Sequence, residues 1–315
     1  MTALAALIVL CAIQQAPEKS PYPVLPSDTD KAITAFNDPH LIYFNRKAKT
    51  RNELLIFIPG TNGKPGNTGM FCQTAADLGY HVVALAYPSD IAATMVRNEQ
   101  DPDAFEKFRT EIIEGRDLST FVSVDRANSI ENRLIKVLQY LAHAEPDAGW
   151  GQYLTEDRQP NWRKIAVTGH SQGGGHAALI AIKHRVARAI MTGAPKDFDR
   201  VRNQPAAWYR KPATPLSGFF TFNHELDRQG CNYEELLRIF KAMGLDKLGA
   251  PTSVDKATAP YHNSRILTTN FEGSPAESVK AHSTVIGDSI GPKDKSGNPV
   301  FKPVWIYMMT AEVKG

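Results

Sequence analysis

"KIAVTGHSQGGGHAALIAIKH", residues 164–184, carries a short apolar strand into a serine set among glycines and then into a helix of small residues. Two motifs overlap in it. G-x-S-x-G spans Gly169 to Gly173 around Ser171, and T-G-x-x-x-G-x-G spans Thr168 to Gly175. The first would set a nucleophilic serine on a sharp strand-to-helix turn. The second would make the same glycines the phosphate cradle of a nucleotide-binding fold. The local spelling fits both, so the choice falls to the rest of the chain.

The chain has 315 residues, 42% hydrophobic and 22% charged, which suits one large α/β domain. A formal charge of +3 without a basic block gives nucleic acid no electrostatic footprint. No stretch is apolar enough over about 18 residues for an integral membrane span. The N-terminus, "MTALAALIVLCAIQQAPEKS", has an apolar core of signal-peptide length followed by polar, Pro-rich sequence. It reads as a signal peptide over residues 1–16 and a linker over 17–35, ahead of a single domain over 36–315, which implies a secreted or periplasmic protein. Removing the leader leaves Cys72 and Cys231, either bridged or as two separate buried thiols.

Beyond the linker, β-rich runs alternate with helical patterns, the mark of a mainly parallel central sheet flanked by helices. Strands are expected at 40–44, 53–59, 81–87, 164–169, 188–193, 218–223 and 265–271. Several are continuous apolar runs, as strands buried on both faces should be. "SIENRLIKVLQYLAHAEP" repeats Ile130, Leu134, Val137, Leu138 and Leu141 at helical spacing, with Asn128 or Ser129 as cap and a stop before Pro146. Residues 232–249 read as a second helix ending near Gly244. Residues 89–125 are charged and read first as a solvated surface helix, with a cover over the sheet's carboxyl edge as the alternative.

A serine hydroxyl needs a base to take its proton, an acid to orient that base and donors for the developing oxyanion. On a strand-to-helix turn, an acid should follow a later strand and a histidine a still later one. "GFFTFNHELDRQGC" ends a strand and offers Asp227, with Glu225 as the alternative. The strand at 265–271 is followed by "ESVKAHST", which offers His282; His262 precedes that strand and is the weaker rival. The backbone N–H of Gln172, just past the serine, supplies one oxyanion donor. The loop in "LLIFIPGTNGKPGN" supplies a second, from Thr61 or its neighbour Asn62.

On the elbow, the P-G-x loop and the late Asp and His, the chain resembles an α/β-hydrolase serine esterase over residues 53–285. "VDRANSIENRLIKVLQYL" with "PNWRKIAVTGHSQGGGHAA" is further similar to a group of poorly characterised bacterial hydrolases. The P-G-T loop and "DLGYHVVALAYP" are similar to the secreted lipase, cutinase and polyester-hydrolase branch. The resemblance implies an α/β-hydrolase fold with Ser171 as nucleophile, His282 as general base then acid, and Asp227 holding the imidazole. It implies a small-molecule or polymeric ester substrate but not which one, because Thr61 stands where the polyester branch carries an aromatic residue. No metal or organic cofactor is implied.

The sequence also admits three rival readings. Gly173, Gly175 and Ala178 spell G-x-G-x-x-A, and Asp197 follows about 20 residues on, as an NAD(P)-dependent dehydrogenase's ribose acid would. Such a motif opens the first βαβ unit of its domain, however, and here several strands precede it. A metal site of the H-E-x-x-H kind fails because Arg228 follows His224 and Glu225. A non-catalytic binding protein on the same scaffold is the remaining alternative. His170 and His176 flank the turn and read as structural histidines. Trp208, Tyr209 and Phe105 fit either core or pocket.

Overall fold

The computed structural model describes residues 20–271 and 278–314. The leader reading over 1–16 lies outside them. The strands are β1 (Tyr22–Val24), β2 (His40–Tyr43), β3 (Leu54–Ile58), β4 (His81–Ala84), β5 (Ile165–His170), β6 (Arg188–Thr192), β7 (Phe198–Asp199), β8 (Gln204–Pro205), β9 (Phe219–His224), β10 (Thr252–Ser253) and β11 (Ile266–Thr269). The α-helices are α1 (Pro26–Thr29), α2 (Gly69–Asp77), α3 (Ala104–Glu114), α4 (Ile130–Ala144), α5 (Gln172–Lys183), α6 (Tyr233–Met243), α7 (Ser278–Thr284) and α8 (Lys302–Thr310). Nine strands form one sheet in the order β1-β2-β4-β3-β5-β6-β9-β11-β10, with β1 and β2 antiparallel and the pairs from β4 onward parallel. This mostly parallel sheet with helices on both faces is an α/β-hydrolase fold.

The pleat of β3 shows why its sequence is apolar throughout. Leu54, Ile56 and Ile58 join the core under α3, α4 and α5, whereas Leu55 and Phe57 join the opposite core under α2 and α8. With both faces covered, no position on the strand is free to be polar. Ser129 is the cap of α4, its hydroxyl accepting from Asn132 N at 3.3 Å. Asn128, the other candidate, spends its side-chain oxygen on Ala35 N, 3.0 Å away. Helix α6 opens on a capping box between Asn232 and Glu235 and stops at Gly244, φ +81°.

Two expectations are corrected, and the open choice for the cysteines is decided. From Tyr22 onward the presumed linker is built into the domain: β1 pairs with β2, Ile33 is buried, and the buried Arg133 guanidinium holds the carbonyls of Ala35 and Phe36. Helix α3 is not a solvated surface helix. Phe105, Phe108, Ile112 and Ile113 enter the core, and Arg109 and Glu111 are buried with them. Cys72 and Cys231 are free, buried thiols, and they sit in the two cores on opposite faces of the sheet.

The parallel registers bring the carboxyl ends of five strands to one edge. Ile58 of β3 stands beside Gly169 of β5, His170 beside Thr192 of β6, Thr192 beside Phe222 of β9, and His224 beside Thr269 of β11. Every loop leaving these strands therefore starts from the same rim. Ligands of open α/β sheets bind at that rim.

Candidate active site

Ser171 is the residue between β5 and α5, and its backbone has φ +55° and ψ −122°. A residue with a side chain held there stores roughly 1–3 kcal/mol of strain, which the surrounding packing must impose. The packing is tight enough to do so. A Cβ on Gly169 would lie 2.4 Å from the carbonyl carbon of Gly173, and one on Gly173 would lie 1.9 Å from the carbonyl oxygen of Ile58. The two glycines of G-x-S-x-G thus let α5 turn back directly over the strands. The turn holds the serine out at the rim.

The N-terminus of α5 leaves the Gln172 N–H without an intrahelical acceptor. In the loop after β3, Asn62 N–H donates to Ser89 O at 2.9 Å. That commitment removes Asn62 and leaves Thr61 as the second oxyanion candidate. The two residues are also tied by their side chains, Thr61 Oγ1 donating to Gln172 Oε1 at 3.2 Å while the same oxygen accepts from Ala93 N at 2.7 Å. Pro59, Gly60, Thr61, Ser171, Gln172 and His282 all line one cavity of about 540 Å³.

His282 lies on α7, beyond β11, and its Nδ1 is 2.6 Å from Asp227 Oδ2. Asp227 follows β9 and is buried. Burial works against its charge, but the contacts to His282 and then Lys196 outweigh it and hold the carboxyl below its ordinary range. The opposite ring nitrogen, His282 Nε2, is buried and has no hydrogen-bond partner among the described residues. A Ser171–His282 hydrogen bond is thus not formed in this structure, although both residues face the same cavity. In unliganded sites such contacts are commonly long and tighten with substrate.

The rival residues fall elsewhere. Glu225 Oε1 accepts from Thr268 Oγ1 at 3.0 Å, and His262 is exposed ahead of β11, at the far end of the sheet from the rim. Asp197, the would-be ribose acid, is closed off by Arg109, whose Nε and Nη2 each donate to it at 2.6 Å, and by Trp208 Nε1 at 2.9 Å. Trp208, Tyr209 and Phe105 are core residues. His176 is wholly buried against Tyr87. His170 lines the cavity, its ring 4.6 Å from that of His282. Burial, and next the neighbouring His282, push His170 down to about 3, so it is neutral at physiological pH.

Sequence reasoning missed Lys196 and Arg109. Lys196 lies beyond β6 and its Nζ is 2.6 Å from Asp227 Oδ2, the same oxygen that faces His282. Arg109 reaches from α3 to donate to the Gln172 carbonyl at 2.9 Å. The signal for Lys196 was positional, since "TGAPKD" leaves a parallel strand at the rim that carries the serine. Among the described residues no group of His, Cys, Asp and Glu is arranged to hold a metal ion, and no helix is long and apolar enough to cross a membrane.

No protein-family model matches the chain, and no curated protein does. Among solved structures it is similar to esterase 2 of the planctomycete Thermogutta terrifontis. The paraoxon-phosphorylated form is 14% identical, with 79% of this chain and 82% of that chain covered and a TM-score of 0.41. The native enzyme is also 14% identical, with 79% and 81% covered and a TM-score of 0.41. The butyrate-bound form is 14% identical, with 79% and 82% covered and a TM-score of 0.40. At that distance, the reading of the site rests on this chain's own residues.

Proposed function

We propose that the chain is a serine hydrolase that cleaves carboxylic esters through an acyl-enzyme. The observation that carries this reading is the strained Ser171 sharing a cavity with His282, whose Nδ1 is held by Asp227 and whose Nε2 has no partner among the described residues. Ser171 Oγ attacks the ester carbonyl while His282 Nε2 takes the hydroxyl proton. Asp227 fixes the tautomer that leaves Nε2 free to accept. The tetrahedral oxyanion is held by the N–H groups of Thr61 and Gln172, whose value lies in being aimed before charge develops. Collapse breaks the carbonyl–alkoxide bond, and the alcohol leaves with the proton from His282. Water, deprotonated by the same imidazole, then attacks the acyl-enzyme and releases the carboxylic acid and free Ser171.

A cavity of about 540 Å³ fits a small ester. The test is hydrolysis of a chain-length series of p-nitrophenyl esters, followed by amides and polymeric esters. Wild type should turn over the short esters, and Ser171→Ala should lose several orders of magnitude in kcat. Folded wild type without turnover on any ester would leave a non-catalytic binding protein instead.

A further inference from the structure

The triad reading uses Asp227 only as the partner of His282, yet the carboxylate also meets a cation. Lys196 Nζ lies 2.6 Å from Oδ2, the oxygen that also faces His282 Nδ1 at 2.6 Å, while Oδ1 accepts from Gln229 N at 2.8 Å. The lysine side chain is only 10% exposed and lines the cavity, so the pair is shielded from bulk water. The start of its stem packs against Gly230, where a Cβ would come within 3.1 Å of Lys196 Cβ.

Resting on the triad reading, we propose that Lys196 is a positioning residue of the site: it anchors the Asp227 carboxylate against His282 and offsets part of the charge that the carboxylate presents to the imidazole. An unopposed carboxylate would stabilise the imidazolium strongly and keep the ring protonated up to higher pH. A lysine on the same oxygen cancels part of that field. Among the described residues the ionisable groups facing the imidazole are Asp227 from the loop after β9, Lys196 from the loop after β6 and His170 from the end of β5; Lys280 lies two residues before it on α7. His224 and Cys231 neighbour Asp227 in turn. Arg109 and Asp197 also line the cavity but neutralise each other, and Lys64 pairs with Asp38 at the surface. The acid limb of the rate profile is a property of this whole cluster, in which Lys196 is paired with the triad carboxylate.

The experiment is the pH dependence of kcat and kcat/KM for an uncharged p-nitrophenyl ester with wild type, Lys196→Met, Lys196→Gln and Lys196→Arg, with thermal melts to establish folding. The Met and Gln variants should move the acid limb to higher pH. Their plateau kcat should fall about tenfold, the worth of one buried charge-assisted contact, while KM stays unchanged. Lys196→Arg should restore the limb toward wild type. Profiles of the folded Met or Gln variants that superimpose on wild type would overturn the proposal alone, as would a Lys196→Arg limb displaced as far as that of Lys196→Met. Wild type that hydrolyses no ester would overturn the triad reading and this proposal with it.

Discussion

Asp197 and Asp227 leave neighbouring strands at the same rim, both are buried, and both meet a cation, yet they are built for different work. Asp197 is closed. Arg109 takes both its oxygens, Trp208 Nε1 adds a third donor, and its own N–H donates to Tyr209 OH at 3.1 Å. Asp227 is open at one end, because its imidazole partner carries a second nitrogen with no partner among the described residues. A saturated carboxylate locks neighbouring elements together. One whose chain of contacts ends in an unoccupied acceptor beside a cavity can move a proton.

Substitutions at the two aspartates should separate these roles. The largest effect is expected at the open site: Asp227→Asn should lower kcat by about four orders of magnitude by disturbing the histidine tautomer, measured by ester hydrolysis with active-site titration. Asp197→Ala should instead lower the unfolding free energy by about 3–5 kcal/mol, since it strands the Arg109 charge in the core. Its folded fraction should keep kcat within about tenfold. Urea melts paired with turnover read both quantities, and a kcat loss at Asp197 matching that at Asp227 would erase the distinction.

Smaller effects sharpen it further. Thr61→Val removes the hydroxyl that donates to Gln172 but keeps the backbone N–H, so kcat should change by less than about tenfold, against the two to three orders expected for loss of an oxyanion donor. The smallest effect concerns acid stability. Asp227 is held below its ordinary range in the folded protein. Its contribution is therefore complete above the unfolded value near 3.9 and is lost as pH falls through the lower folded value. The stability difference between wild type and Asp227→Asn, followed by urea unfolding, should shrink as pH falls across that acid window.

Much of the fold was legible because it is written in local chemistry. Apolar runs such as Leu54–Ile58 marked buried strands, and Gly169 and Gly173 marked the turn at Ser171. Chain order then led to Asp227 and His282, which the structure brings within 2.6 Å. What escaped depends on convergence. Tyr22–Val24 is too short and too proline-rich to show a strand's period, and only its pairing with β2 defines it. The charges of α3 masked the face made by Phe105, Phe108 and Ile112. Lys196 and Arg109 are ordinary surface residue types in sequence, and only the distances to Asp227 and to the Gln172 carbonyl give them a role.

The central claim is that Ser171 is a nucleophile activated through His282. Reaction with a fluorophosphonate probe, read by intact mass and peptide mapping, tests it most directly. Wild type should gain one adduct, mapped to Ser171, that is absent from Ser171→Ala and forms at least a hundredfold more slowly in His282→Ala, within the range of general-base contributions. Folded wild type that remains unlabelled, or that carries its adduct on another residue, would contradict the account.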